Sequence, residues 1–72
     1  MPTLLVFNGF KLRLYFGDHG VPHVHLISAD CAAVIAIETG EVITGDAPAA
    51  ALETAHAYVA ANRDALLTLW RK

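Results

Sequence analysis

The chain has 72 residues, 56% of them hydrophobic, with five lysines and arginines against seven aspartates and glutamates, for a formal charge of −2. That length allows one domain, which hides only about 60% of the surface its unfolded chain exposes. The single cysteine, Cys31, excludes an internal disulfide, so outside support for so small a core falls to a metal or to burial against another chain, the second being favoured.

The negative balance argues against nucleic-acid binding through overall charge, leaving only a local basic stripe to act. Met1 to Phe7 is too short for a signal-peptide apolar region and lacks a positive start. No apolar stretch approaches the ~20 residues that cross a bilayer. The expectation is a soluble cytoplasmic protein with no membrane contact. Cys31 fits a reducing compartment and reads most simply as a small buried hydrophobe.

Asn8-Gly9 lies between Leu4 to Phe7 and Phe10 to Phe16, and this dipeptide between apolar runs signals a hairpin because both residues tolerate positive φ. The turn sets Phe7 opposite Phe10 and Leu5 opposite Leu12. Leu5, Phe7, Phe10, Leu12 and Leu14 then share an apolar face, with Lys11, Arg13 and Tyr15 on the other. The plainest role for Lys11 and Arg13 is a solvated face, or charges that protect an edge strand.

Gly17 to Pro22 reads as a loop, in which Asp18 caps backbone N–H groups and Pro22 shapes the strand entry, with a cis bond the minority alternative. A third strand runs from His23 to about Ser28, placing His23, His25 and Ile27 on one side and Val24 and Leu26 on the other. The fourth, Cys31 to Glu38, is apolar on both sides and belongs at the centre of the sheet or against a partner. Thr39-Gly40 turns into a short strand from Glu41 to Thr44.

From Pro48 the apolar spacing becomes helical, with Asp46 or Ala47 as cap and Pro48 in the first turn, and one helix is expected to about Trp70. At about 100° per residue, Leu52, Ala55, Val59, Leu66, Leu69 and Trp70 form the apolar stripe, opposite Glu53, Asp64, Thr68 and Arg71. His56 and Arg63 fall at its margin, facing the sheet rim. The bland roles are a surface histidine bonded to water or Glu53, an ion pair for Arg63, and core or partner-facing aromatics for Tyr15, Tyr58 and Trp70. The expected architecture is α+β: a curled antiparallel sheet of four or five strands covered on one face by a C-terminal helix.

Chemistry concentrates at Asp18-His19-Gly20-Val21-Pro22-His23-Val24-His25, which holds three of the four histidines. His23 and His25 project from one strand face and can converge on a divalent ion such as zinc, with His19 or Asp18 supplying a further ligand from the loop. Without a metal, paired imidazoles beside Lys11, Arg13 or Arg63 can act as acid and base on a phosphodiester such as RNA. The candidate catalytic residues are His19, His23, His25 and Arg63. A structural hydrogen-bond network around the loop is the plainer alternative.

Several segments are familiar together: Met1-Pro2-Thr3, Phe7-x-Gly9, Tyr15-Phe16-x-Asp18-His19, Pro22-His23-x-His25, Glu38-Thr39-Gly40-Glu41-Val42 and Arg63-Asp64-x-Leu66-Leu67-x-x-Trp70. The chain resembles, over essentially its whole length, the small bacterial family catalogued as domain of unknown function 4160. Members similar to it commonly carry a second proline and an aromatic residue where this chain has Val21 and Val24. The resemblance implies no activity; family genes often accompany those of another small family, which implies a protein partner in a toxin-antitoxin-like pair. It points to Asp18, His19, His23, His25 and Arg63. The leading expectation is therefore a protein-interaction module, a homodimer or half of a two-protein pair. The runner-up is a histidine-based, metal-assisted hydrolase of phosphodiesters.

Overall fold

The Asn8-Gly9 turn forms with both residues at positive φ, 45° and 80°, and the twist of such a turn suits the two strands it joins. A computed structural model describes residues 3–15 and 20–71. Its elements are β1 (Thr3–Phe7), β2 (Phe10–Arg13), β3 (His23–Ile27), β4 (Ala32–Ala36), β5 (Val42–Gly45), α1 (Ala49–Ala61) and α2 (Arg63–Trp70). The five strands make one antiparallel sheet in the order β1-β2-β3-β4-β5. Each strand pairs with its neighbour in sequence.

The hairpin register is the one its turn requires, Phe7 with Phe10 and Leu5 with Leu12. The β2–β3 register, which the sequence leaves open, sets Leu12 beside Leu26 and Arg13 beside His25. β2 is thus an inner strand, so Lys11 and Arg13 do not guard an edge. β4 is also internal, between β3 and β5, which accounts for apolar residues on both its sides. It is shorter than the apolar run, because residues 37 to 39 already turn. The last strand starts one residue later than expected and carries an irregularity opposite Val34/Ile35.

The covered face of the sheet holds Leu12, Leu14, Val24, Leu26, Ala33, Ile35 and Ile37, all at 1% exposure or less. Ala51, Ala55, Val59 and Leu66 of the helices join the same cluster, with Leu52, Leu69 and Trp70 packed against it. The alanines let α1 lie close to the strands, and Glu53, Asp64, Thr68 and Arg71 are exposed opposite.

The helical segment is broken at Asn62, where φ is −120° and ψ is 20°, so two helices stand where one is expected. Asn62 donates its backbone N–H to the Tyr58 and Val59 carbonyls and its side-chain Nδ2 to Tyr58 again, local bonding that competes with a continuous helix. Leu66 remains in the core. The N-cap is Pro48, without a side-chain cap bond; Asp46 instead accepts from the Ala47 N–H through Oδ1. The peptide bond before Pro22 is trans. Cys31 is half-buried, its Sγ 3.3 Å from Ser28 Oγ. Among the described residues, no helix is long and apolar enough to cross a membrane.

Candidate functional site

Period-two geometry and the observed registers place Lys11, Arg13 and Tyr15 from the second strand segment beside His23, His25 and Ile27 of β3 on the sheet face away from the core. Ala32, Val34 and Ala36 of β4 continue that face, with His25 opposite Val34 and His23 opposite Ala36. The described strands contain no Asp or Glu. Among the described residues, carboxylates lie between the strands or ahead of α1 at Asp30, Glu38, Glu41 and Asp46 and on the helices at Glu53 and Asp64. Cationic and imidazole groups therefore collect on the open face of a chain that is negative overall.

The groups form a row. The Arg13 guanidinium carbon lies 5.9 Å from the Tyr15 ring centroid; Tyr15 meets His25 edge-on at 4.5 Å; His25 meets His23 at 5.1 Å; and His23 meets Trp70 at 4.9 Å. Edge-to-face contacts of this kind are favoured by ring quadrupoles. Trp70, at the end of α2, packs against the core and reaches His23 at the sheet end. Apolar spacing alone places Trp70 in the helical stripe and does not join it to the histidines.

His23 Nδ1 lies 2.8 Å from the Val21 carbonyl oxygen. A carbonyl only accepts, so Nδ1 carries the proton, and in the neutral ring Nε2 holds the lone pair. Pro22 continues the bracing, its carbonyl accepting from the Ile37 N–H at 3.0 Å. The Ile37 carbonyl in turn accepts from Arg63 Nε at 2.9 Å. Arg63 thus ties the first turn of α2 to the end of β4, one backbone group away from the strand entry at Pro22. That bond commits its Nε to the scaffold rather than to the row of rings.

Arg13 has a different status. Its Nε is shielded from solvent and has no hydrogen-bond partner among the described residues. A buried guanidinium N–H without an acceptor is costly, and each one calls for an explanation. His56 lies apart from the row, over the β4–β5 turn: a Cβ at Gly40 would stand 2.5 Å from its ring.

Asp18 and His19, the loop members of the expected metal set, lie outside the described residues. Among those described, no group of three or more histidines, cysteines, aspartates or glutamates is gathered to hold a metal. His23 and His25 do come together, as adjacent projections of β3.

The sequence of residues 9–71 matches the family model described as "Domain of unknown function (DUF4160)". No curated protein and no solved structure matches the chain.

Proposed function

Because the chain belongs to the DUF4160 family, whose description assigns no chemistry, we propose from the site itself that it is a protein-interaction module that docks a partner on its open sheet face. The observation that carries this is the contrast within one sheet. One side is sealed by helices, while the other holds Arg13 with an unsatisfied shielded Nε, half-buried rings and the small apolar residues of β4. A partner seated there would supply the missing acceptor and cover Val34 and Ala36. It would also give a 72-residue chain the added buried surface that so small a domain lacks. The cytoplasm is the compartment in this reading, and the partner is a second protein, as in a toxin-antitoxin-like pair, or another copy of the chain.

Site-specific photo-crosslinking tests it. A crosslinking residue at Val34 in the full chain, expressed in its host, should give one discrete adduct, and the same group at exposed Thr54 on α1 should give none. Equal adducts at both positions, or none at Val34, would overturn the reading.

The tautomer set by Val21 favours a second reading. His23 Nε2 can accept a proton while the neighbouring His25 donates one, beside Arg13, which is a layout for general acid–base cleavage of a phosphodiester such as RNA. A zinc-like ion on the imidazoles, with Asp18 and His19 as further ligands, would supply an activated water. The measurement is RNA cleavage by the double variant His23→Gln/His25→Gln, together with metal titration followed by melting temperature. Cleavage that is unchanged in the variant removes the catalytic reading, and a melting temperature indifferent to zinc, nickel and manganese removes its metal form.

A further inference from the structure

We infer that the open face recognises a carboxylate, carried by an acidic segment of the partner protein, with Arg13 as the gripping residue. This rests on the docking reading above and names the chemistry of what docks. Arg13 ends β2, held in register between Thr3 of β1 and His25 of β3, so its side chain leaves from an inner strand of the sheet. Its Nε has no acceptor among the described residues, and no described strand residue is acidic. An acceptor brought by a molecule seated on the face would satisfy that donor. A guanidinium turned about its side-chain torsions presents Nε–H and one Nη–H together, the fork that matches both oxygens of a carboxylate. Lys11, exposed two positions away, adds a second positive charge for a neighbouring acidic residue.

A nucleic-acid strand fits the same face less well. Its affinity comes mainly from many phosphate contacts, and this face offers Lys11 and Arg13 on a chain of net charge −2. Stacking platforms need free ring faces. Here Tyr15, His25, His23 and Trp70 are turned against one another at interplanar angles of 87°, 67° and 57°. A discrete carboxylate needs only one fork.

The test is an NMR titration of the full chain with a capped Glu-Ser-Glu-Ser-Glu-Ser peptide, its Gln-for-Glu counterpart and a uridine hexanucleotide, reading the Arg13 Nε–H and the His25 ring signals. The Glu peptide should shift both saturably, the Gln peptide should bind at least tenfold more weakly, and Arg13→Gln should lose at least tenfold while keeping the wild-type melting temperature. Arg13→Lys, which keeps the charge but not the fork, should fall between. No saturable shift at millimolar Glu peptide, equal binding of the Gln peptide, or affinity unchanged in Arg13→Gln would each overturn the inference. Tighter binding of the hexanucleotide would replace it with a nucleic-acid surface. The two levels separate through the crosslink at Val34. An adduct that survives Arg13→Glu keeps the docking surface and refutes the carboxylate, whereas loss of the Val34 adduct in the wild-type chain removes the surface itself.

Discussion

Leu12 and Arg13 are neighbours in sequence and neighbours of Leu26 and His25 across the same strand pair, yet they belong to different problems. On the covered face the fully buried side chains are all aliphatic, and among the described residues no polar side chain is buried with them. On the open face cationic, aromatic and imidazole side chains stand beside the apolar Ile27, Val34 and Ala36, and Arg13 holds a donor away from water with no acceptor among the described residues. The two-residue period of a strand thus divides the chain into residues that hold it folded and residues left over for recognition. Adjacent substitutions should therefore have unrelated effects.

The largest effect is expected on the sealed side. Leu26→Ala removes a side chain with 0% exposure and should cost about 3 kcal/mol, a large share of the stability of a domain this size, as urea denaturation will show. If Leu26→Ala and His25→Ala destabilise equally, the division between faces is wrong. Gly45→Ala comes next. Its backbone φ is 84°, and an added Cβ would meet the Ala32 carbonyl oxygen and the Ala33 Cα. Because those are backbone atoms with little room to give, the loss should be about 2 kcal/mol, read from the same denaturation midpoint.

Arg63→Met keeps much of the side-chain length but deletes the bond to the Ile37 carbonyl. It should cost about 1.5 kcal/mol and, through the Ile37 to Pro22 bond, move the His23 ring signals in NMR. Unmoved His23 signals would mean that the brace stops at β4. The smallest stability effect belongs to exposed Lys11: Lys11→Gln should stay within about 0.5 kcal/mol of the parent. It should nevertheless slow association with an acidic partner at low salt, a difference that added salt erases. Stopped-flow rates at two ionic strengths decide it.

The separation of faces was legible in the sequence wherever alternation was strict. Alternation puts Leu12 and Leu14 on one face with Arg13 and Tyr15 on the other, and likewise separates Val24 and Leu26 from His23 and His25, but which faces of the two strands coincide follows from the β2–β3 pairing. The register itself depends on the path of the connecting loop, which alternation does not encode. The Asn8-Gly9 turn was legible because its backbone requirement is local. The break at Asn62 was not, since Val59 and Leu66 stay on one side with or without it, and apolar spacing is blind to a small bend. β4 was read too long because Ile37 is as apolar as the strand before it, although the chain is already turning there.

The pairing of His23 and His25 on one strand face is legible in the sequence, but the row they form with Tyr15 and Trp70 is not. Contact between His23 and Trp70 joins β3 to the end of α2, far apart in sequence, and nothing in local spacing announces it. Arg13 is legible only as one of three basic residues beside the histidines, because the commonest explanation of a basic strand residue is solvation or edge protection, and only the order of the strands removes the edge.

That order has a kinetic consequence. Since every strand bonds to the one made just before it, each pairing closes a short loop, and the entropy lost at each closure is small. The sheet can assemble hairpin by hairpin, while its apolar face waits for α1 and α2 to dock. Until then the aliphatic side of the sheet stands bare, so a form with its strands paired and its helices undocked is the one most open to aggregation.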